Sequence, residues 1–543
     1  MLNNFNTEAA WTYHKATKHS YASVRTSPHF LDFQNQPLPF KIYPTLPPSC
    51  LPTEMRQTGI TALSDIAGSI PYQTKSTPDL ASLAQLLYLS AGITRQRKYA
   101  GGEIYFRAAA CTGALYEVEL YLVCGGFNDL EAGVYHFAPA EFGLRQLRAG
   151  DYRSILVQAT GAEPAIVQAP LIIVCTCTYW RNAWKYQART YRHFGWDNGT
   201  LLANLLAVAT AQGLPAKVVC GFVDSTVNRL LDLDSNREVA FSLVAIGHDS
   251  GPSAPIAATS PSVSALADIA PLGLETIPLS REEIDYPLMR EIHAASSLDT
   301  AEEVAAWRGN IALAGAARNT ARGAVTGNPP PPFGQVINMS MRPLSDAEIP
   351  CDSIEQVILR RGSSRQFERT PITLPQLSTL LDRATRVLPA DFLTSNCDGH
   401  MESHLNQPYL IVHAVEGLEP GAYVYQRNRG ELECLKRGSF RNQAGYLGLE
   451  QQLPADAAVD IFFLADLQPI LNRFGNRGYR AVQLEAGILG GKLYLAAYAQ
   501  RLGATGLTFY DDDVIQFFSP HAEGKSAIFL LAVGNKHRAH LGD

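Results

Sequence analysis

The chain has 543 residues, 46% of them hydrophobic and 18% charged, with a formal net charge of −6. That length exceeds one ordinary core and implies two or three domains, and the composition is that of a globular chain, well away from a disordered one. The acidic balance, with no basic tract interleaved with aromatics, argues against a nucleic-acid partner, and the longest apolar runs (APLIIVCTCTYW) fall short of the roughly 20 residues a membrane span needs.

The first residues, MLNNFNTEAAWTYHKATKHS, show no apolar run behind a basic start, so no signal peptide is expected. Nine cysteines without CxxC spacing fit a reduced, cytoplasmic chain with no structural metal. His14 and His19 stand close in sequence, but no carboxylate or cysteine completes a ligand set, and structural hydrogen bonding is the preferred reading. Residues 1–69, with NQPLPFKIYPTLPPSCLP, read as an extended arm.

A first domain is placed at 70–248. DLASLAQLLYLSAG has apolar residues at helical spacing, and VELYLVC and GVYHFAP are strands separated by a glycine-containing turn. Cys175 and Cys177 alternate in a strand-like run, where burial as small apolar residues is expected. An apolar helix from Asp197 to Gln212 ends at QGLPA. The linker, 249–349, opens with a Pro-, Ser- and Ala-rich stretch, carries a helical segment around 286–309, and meets the breaker GNPPPPFG. The second domain is 350–543.

The two domains are copies. YRHFGWDNGTLLANLLAVATAQGLPA from Tyr191 matches YRAVQLEAGILGGKLYLAAYAQRLGA from Tyr479 without a gap, an offset of 288. LEAGVYHF from Leu130 falls on LEPGAYVY from Leu418 at the same offset, as Tyr121 falls on Tyr409. Matches in register over more than a hundred residues mean one fold present twice. The fold class is α+β: a mostly antiparallel sheet with helices on its faces, in tandem, forming an intrachain pseudo-dimer.

YHKATKHSYASVR, NQPLPFKIYP, LLYLSAGITR, FRAAACTGALYEVELYLV and WKYQARTYRHF together resemble the SagB-type dehydrogenases, the branch of the nitroreductase superfamily that includes azoline oxidases. The resemblance implies FMN, held where two such domains meet. In these proteins an Arg-x-Ser-x-Arg segment from one domain holds the flavin phosphate and ribityl tail, and an R-x-x-P-S-x-G-A-L-Y-P loop from the other closes over the ring. Arg361, Ser363 and Arg365 match the first motif, in the second copy only; IAGSIPYQTK (66–75) occupies its place in the first copy and holds no arginine.

The loop is matched by RAAACTGALYE in the first copy, so the resemblance implies a flavin contact for Ala110, Cys111, Thr112, Gly113, Ala114 and Leu115, with Ala110, Cys111 and Glu117 departing from its Pro, Ser and Pro. LTSNCDGHMES (393–403) has lost the pattern in the second copy. Each half lacks what the other keeps, so one composite site per chain is expected and the opposite one should be empty. Charge-assisted contacts of about 1.5–3 kcal/mol each suit a phosphate dianion. Arg107 has two readings, a flavin contact or a strand cap.

By position, Thr508 and Phe509 correspond to the family's backbone donors to the flavin N5 and O4 edge. Lys185 and Tyr186 match the Lys-Tyr pair that azoline oxidases use to take a substrate proton; their repeat partners are Arg473 and Phe474. The expected activity is FMN-dependent dehydrogenation of a small heterocycle or peptide-borne azoline, with oxygen or another acceptor taking the electrons. The alternatives are an NAD(P)H-dependent nitro or quinone reductase, and a degenerate flavoprotein fold acting as scaffold in a peptide-modifying complex. No dinucleotide fingerprint follows a strand, so NAD(P)H would visit the flavin and not own a domain. Lys536, His537 and Arg538 could reach the phosphate or form a solvated tail, the tail being the preferred reading, and association of two chains into a homo-oligomer stays open.

Overall fold

A computed structural model of the chain describes residues 3–99, 102–127, 129–249, 269–309, 338–393 and 404–537. The proline breaker, most of the linker's first stretch, nearly all of the 393–403 loop and Arg538 lie outside them.

Two antiparallel sheets form the frame. The first has seven strands in the order Ser49–Cys50, Gly143–Ala149, Gly133–Ala138, Val118–Cys124, Leu171–Thr178, Glu238–Ile246, Ala216–Val219. The second has eight. Asn338–Ser340, Glu431–Arg437, Gly421–Gln426, Asn406–Val412, Val459–Ala465 and Ser526–Lys536 run in that order, and Gly503–Leu507 and Phe367–Glu368 both pair with the last. Strands starting at Val118, Gly133, Gly143, Leu171 and Glu238 recur at Asn406, Gly421, Glu431, Val459 and Ser526, each 288 positions on. Helices cover both faces, so central strands such as LIIVCTCT are mostly apolar and fully buried, Cys175 and Cys177 included.

The halves meet along two long helices, Thr190–Ala211 and Arg477–Ala499. Gly199 and its repeat partner Gly487 touch backbone to backbone: a Cβ on Gly199 would stand 2.5 Å from the Gly487 Cα. Contact between equivalent residues places the pseudo-twofold axis there. The first helix starts at Thr190, not at Asp197 as apolar periodicity suggests. Its opening turns carry polar residues buried by partners from the other half, which a hydrophobic pattern does not register.

Those partners form two matching clusters. Arg189 and Arg192 reach Asp511 of the second half at 2.9 and 2.6 Å. Their repeat counterparts Arg477 and Arg480 reach Asp224 of the first half, both at 2.6 Å. The guanidinium pairs hold both aspartates well below the usual carboxylate range although burial alone would push them up. Removing one partner would strand a buried charge, a loss of about 3–5 kcal/mol.

The N-terminal segment is not extended throughout. It opens with helices Glu8–Ala16 and Tyr21–Thr26, and a third, Ala62–Ala67, precedes the first domain. This segment is tied to the second half: Ala10 N in the first helix donates to Asn476 Oδ1 at 3.0 Å, and ahead of that helix Asn4 Nδ2 donates to Phe474 O at 3.0 Å while Asn4 Oδ1 accepts from Arg477 N at 2.8 Å. His14 Nδ1 lies 3.2 Å from the Tyr479 hydroxyl and His19 Nδ1 3.2 Å from Thr508 Oγ1, and neither belongs to a cluster of metal-ligand type among the described residues. The linker carries two separate helical pieces, Pro287–Ala295 and residues 301–309, instead of one. Among the described residues no helix is long and apolar enough to cross a membrane.

Candidate active site

The Arg361–Arg365 loop follows the helix Ile354–Arg360, whose start is a capping box between Ser353 and Gln356. It faces the first domain directly. Arg361 Nε donates to Ala108 O at 3.0 Å, and Ser363 Oγ lies 3.2 Å from the Tyr494 hydroxyl. Ser364 N donates to Ala504 O at 2.9 Å, which seats the loop on the neighbouring strand. Arg361 of the second copy thus meets the first-copy backbone at Arg107 and Ala108, just before the 110–115 loop.

Two further residues stand beside this loop: Arg95, which the sequence does not single out, and Lys536, for which a solvated tail is the preferred reading. Arg95, from the first-domain hairpin Ile93–Tyr99 and Gly102–Arg107, donates its Nη2 to the carbonyls of Leu359, Arg360 and Arg361 at 3.4, 3.2 and 3.1 Å. Lys536 is not in a solvated tail: it ends the last strand, pairs in register with Phe367, and lies over the Tyr498 ring at 3.6 Å. Burial lowers its ammonium to about 8, with Arg360, Arg95 and Arg501 adding repulsion. Arg360 and Arg501 share Asp352 at 2.8 and 2.9 Å. Arg95, Arg361, Arg365 and Lys536 have no carboxylate partner among the described residues, so the cradle holds uncompensated positive charge.

The facing loop is strained. Gly113, Ala114 and Tyr116 all have positive φ (65°, 55° and 53°), and the last two carry a Cβ there. Asp197, from the first long helix, holds this shape: Thr112 gives its N–H and its hydroxyl to Asp197 Oδ1, both at 2.8 Å. Thr200 Oγ1 donates to Ala110 O at 2.6 Å. Cys111 serves as a hydrogen-bonding group, with Sγ 3.2 Å from Asp197 Oδ2 and accepting from Tyr116 N at 3.0 Å. Burial and the Asp197 and Glu117 carboxyls push its thiol well up, so it is no thiolate nucleophile. Leu115 is buried under the loop. Glu117, fully buried beside Asp197, is pushed well above the usual carboxylate range by burial and by that neighbour.

Arg107 is buried, and its Nε has no hydrogen-bond partner among the described residues. Its guanidinium donates to Pro39 O at 2.8 Å and Val118 O at 3.4 Å, its N–H to the Tyr116 hydroxyl at 3.0 Å, and its ring neighbours are Phe40 and Tyr116.

Lys185 and Tyr186 end the helix Tyr179–Tyr186, which breaks at Gln187 with φ of 50°. Tyr186 lies on the loop: a Cβ on Gly113 would stand 2.9 Å from its hydroxyl. Its ring meets His193 edge-on at 4.6 Å. Burial, and then Asp197, push the phenol up, so it stays protonated. Lys185 is lowered by burial and then by the charge of Arg365. Phe509 is buried against Trp196 at 6.2 Å, Thr508 lies beside His19, and neither backbone N–H has an acceptor among the described residues.

A cationic cradle, a partly exposed loop beside it and two unclaimed N–H groups fit a phosphate-bearing planar cofactor.

Known proteins resemble the chain accordingly. A crystal structure of a protein from Anabaena variabilis, provisionally described as a nitroreductase, superposes on 97% of this chain and 99% of its own, with TM-score 0.72 and 25% identity. The trifolitoxin-processing protein TfxB of Rhizobium leguminosarum bv. trifolii is 29% identical over 177 residues, 32% of this chain and 47% of TfxB. The microcin B17-processing protein McbC of Escherichia coli is 28% identical over 127 residues, 22% of this chain and 47% of McbC. The match thus spans about half the length of each of these two relatives. The description of the Nitroreductase family matches residues 71–248 and again residues 358–534. The chain therefore belongs to the nitroreductase family, and carries its domain twice in one polypeptide.

Proposed function

We propose that the chain is an FMN-dependent oxidoreductase with one composite site, which dehydrogenates a small heterocycle or a peptide-borne azoline. The observation that carries this reading is the uncompensated cationic cradle, built mainly by the second half with Arg95 from the first, set against the strained loop of the first half. Arg361, Ser363 and Arg365, with Arg95 and Lys536, would hold the phosphate. The backbone of residues 110–115 would lie along the ring, and the Thr508 and Phe509 N–H groups would meet its edge. The flavin supplies a two-electron acceptor.

The chain's own residues supply the proton chemistry. Lys185 Nζ, lowered by burial and by Arg365, is the group suited to take a proton from a substrate carbon. Tyr186, held protonated, donates a hydrogen bond and orients the substrate; it is not the base. TfxB and McbC are named for processing peptide toxins, which favours a peptide-borne substrate here as well.

The test is the visible spectrum and nucleotide content of the purified chain, followed by turnover. One FMN per chain and oxidation of an azoline peptide is the expected result. Rapid bleaching by NAD(P)H with no azoline turnover would replace this reading with a nitro or quinone reductase. No flavin, even after reconstitution, would leave a scaffold.

A further inference from the structure

The internal repeat generates a second pocket related to the first by the pseudo-twofold axis. At the 288 offset, Cys220 and Gly221 stand for Thr508 and Phe509, and Phe474 for Tyr186. This pocket is filled by the chain itself. The linker residue Trp307 is fully buried there, donating Nε1 to Phe474 O at 3.1 Å with its ring 5.4 Å from that of Phe474. Its six-membered ring closes on Gly221, where an added Cβ would stand 3.0 Å from Cε3 and Cζ3.

The edge donors are also taken. Cys220 N and Gly221 N donate to Asp391 Oδ1 and Oδ2, each at 2.8 Å, the pair of acceptors that a heterocycle edge would offer. Arg308 Nε lies 3.8 Å from the same Asp391, beside Trp307.

The phosphate end of this pocket has no arginine. A cavity there is lined by Asp65, Gly68, Ser69, Thr210 and Lys492, around the arginine-free IAGSIP segment. Asp65 is 2% exposed and neither of its carboxyl oxygens has a hydrogen-bond partner. A phosphate is unwelcome beside it, whereas an uncharged ring in the Trp307 position is not.

We propose that the second pocket is a latent site for a neutral planar aromatic heterocycle, held shut by Trp307 and with its edge donors occupied by Asp391. The inference rests on the repeat and on these contacts, and takes the naming of the pocket's two ends from the proposed function of the first.

The test is Trp307→Gly in the full chain with indole as the probe. The variant's Tm should fall by several degrees, and millimolar indole should restore most of that loss with saturable binding near one per chain in calorimetry, while leaving the Tm of the unaltered chain where it was. A folded variant with no saturable indole binding overturns the proposal. If Trp307→Gly does not fold alone, it is produced with and without indole: soluble chain recovered only with indole supports the proposal, and equal recovery overturns it. FMN content is read on the unaltered chain in parallel, so its absence would sink the first-pocket reading while the indole result still judged the second.

Discussion

Thr112 gives both its N–H and its hydroxyl to a single oxygen of Asp197, each at 2.8 Å, so one buried carboxyl of the long helix fixes the loop facing Arg361. Asp197→Ala leaves both donors without an acceptor and should lower stability by about 1–3 kcal/mol in denaturant unfolding, with weakened flavin retention. Asp197→Asn keeps an acceptor at Oδ1 and should retain most of both. Equal damage from the two would mean that charge, not the hydrogen bonds to Thr112, holds the loop.

Flavin binding should be asymmetric between the repeats. Arg361→Ala should weaken FMN binding about 10- to 100-fold, the worth of one charge-assisted contact at about 1.5–3 kcal/mol. Arg473→Ala, at the counterpart of Lys185, should leave it unchanged. Lys536→Met should weaken FMN binding less than Arg361→Ala, and the affinity of the unaltered chain should fall as salt is raised. Equilibrium titration of the apoprotein, followed by flavin fluorescence, checks all four statements.

Lys185→Ala should keep flavin bound and slow azoline turnover by about 10²- to 10⁴-fold, the usual span for a general base. As the base form is needed, the rate should rise with pH through the Lys185 pKa. Arg365 is one cause of that lowered pKa, so Arg365→Gln should move the rise to higher pH. A pH–rate profile that does not move would remove either Lys185 as the base or Arg365 as its neighbour.

Asp65 makes the vestigial cradle sensitive to pH. Burial, with Glu355 adding to it, raises its carboxyl to about 7 from an ordinary value of 3.8. The folded chain then keeps a proton that the unfolded chain releases, so stability is full below about pH 4, declines towards pH 7, and is level above. Asp65→Asn stays neutral throughout. Its stability should vary less across that window and exceed that of the unaltered chain at pH 8, by unfolding at several pH values; parallel curves would mean the Asp65 carboxyl is not raised.

The duplication and the pairing of the second-copy arginines with the first-copy loop were legible because insertions between equivalent strands are absent. Five strands recur at one offset, and a motif split between halves must meet at the interface. Other parts of the site were hidden for stated reasons. Arg95 acts through backbone carbonyls of a segment 264–266 residues away, a contact without a motif. Lys536 looked like a tail because its pairing partner is the two-residue strand Phe367–Glu368, too short to recognise. Trp307 sat in a stretch that reads as linker, and only the fold shows that a linker tryptophan occupies a pocket. Arg107 was ambiguous in sequence; the structure ties its guanidinium to backbone carbonyls.

Joining the halves in one polypeptide has a kinetic meaning for any ligand held between them. A site shared by separate subunits falls apart as the protein is diluted, because its halves must find each other again. Here the crossing at Gly199 and Gly487, the two arginine–aspartate clusters and the covalent linker make that encounter intramolecular. Specific activity should therefore hold constant down to nanomolar protein, and the lifetime of bound cofactor should be set by local opening of the cradle, independent of how much protein is in the tube.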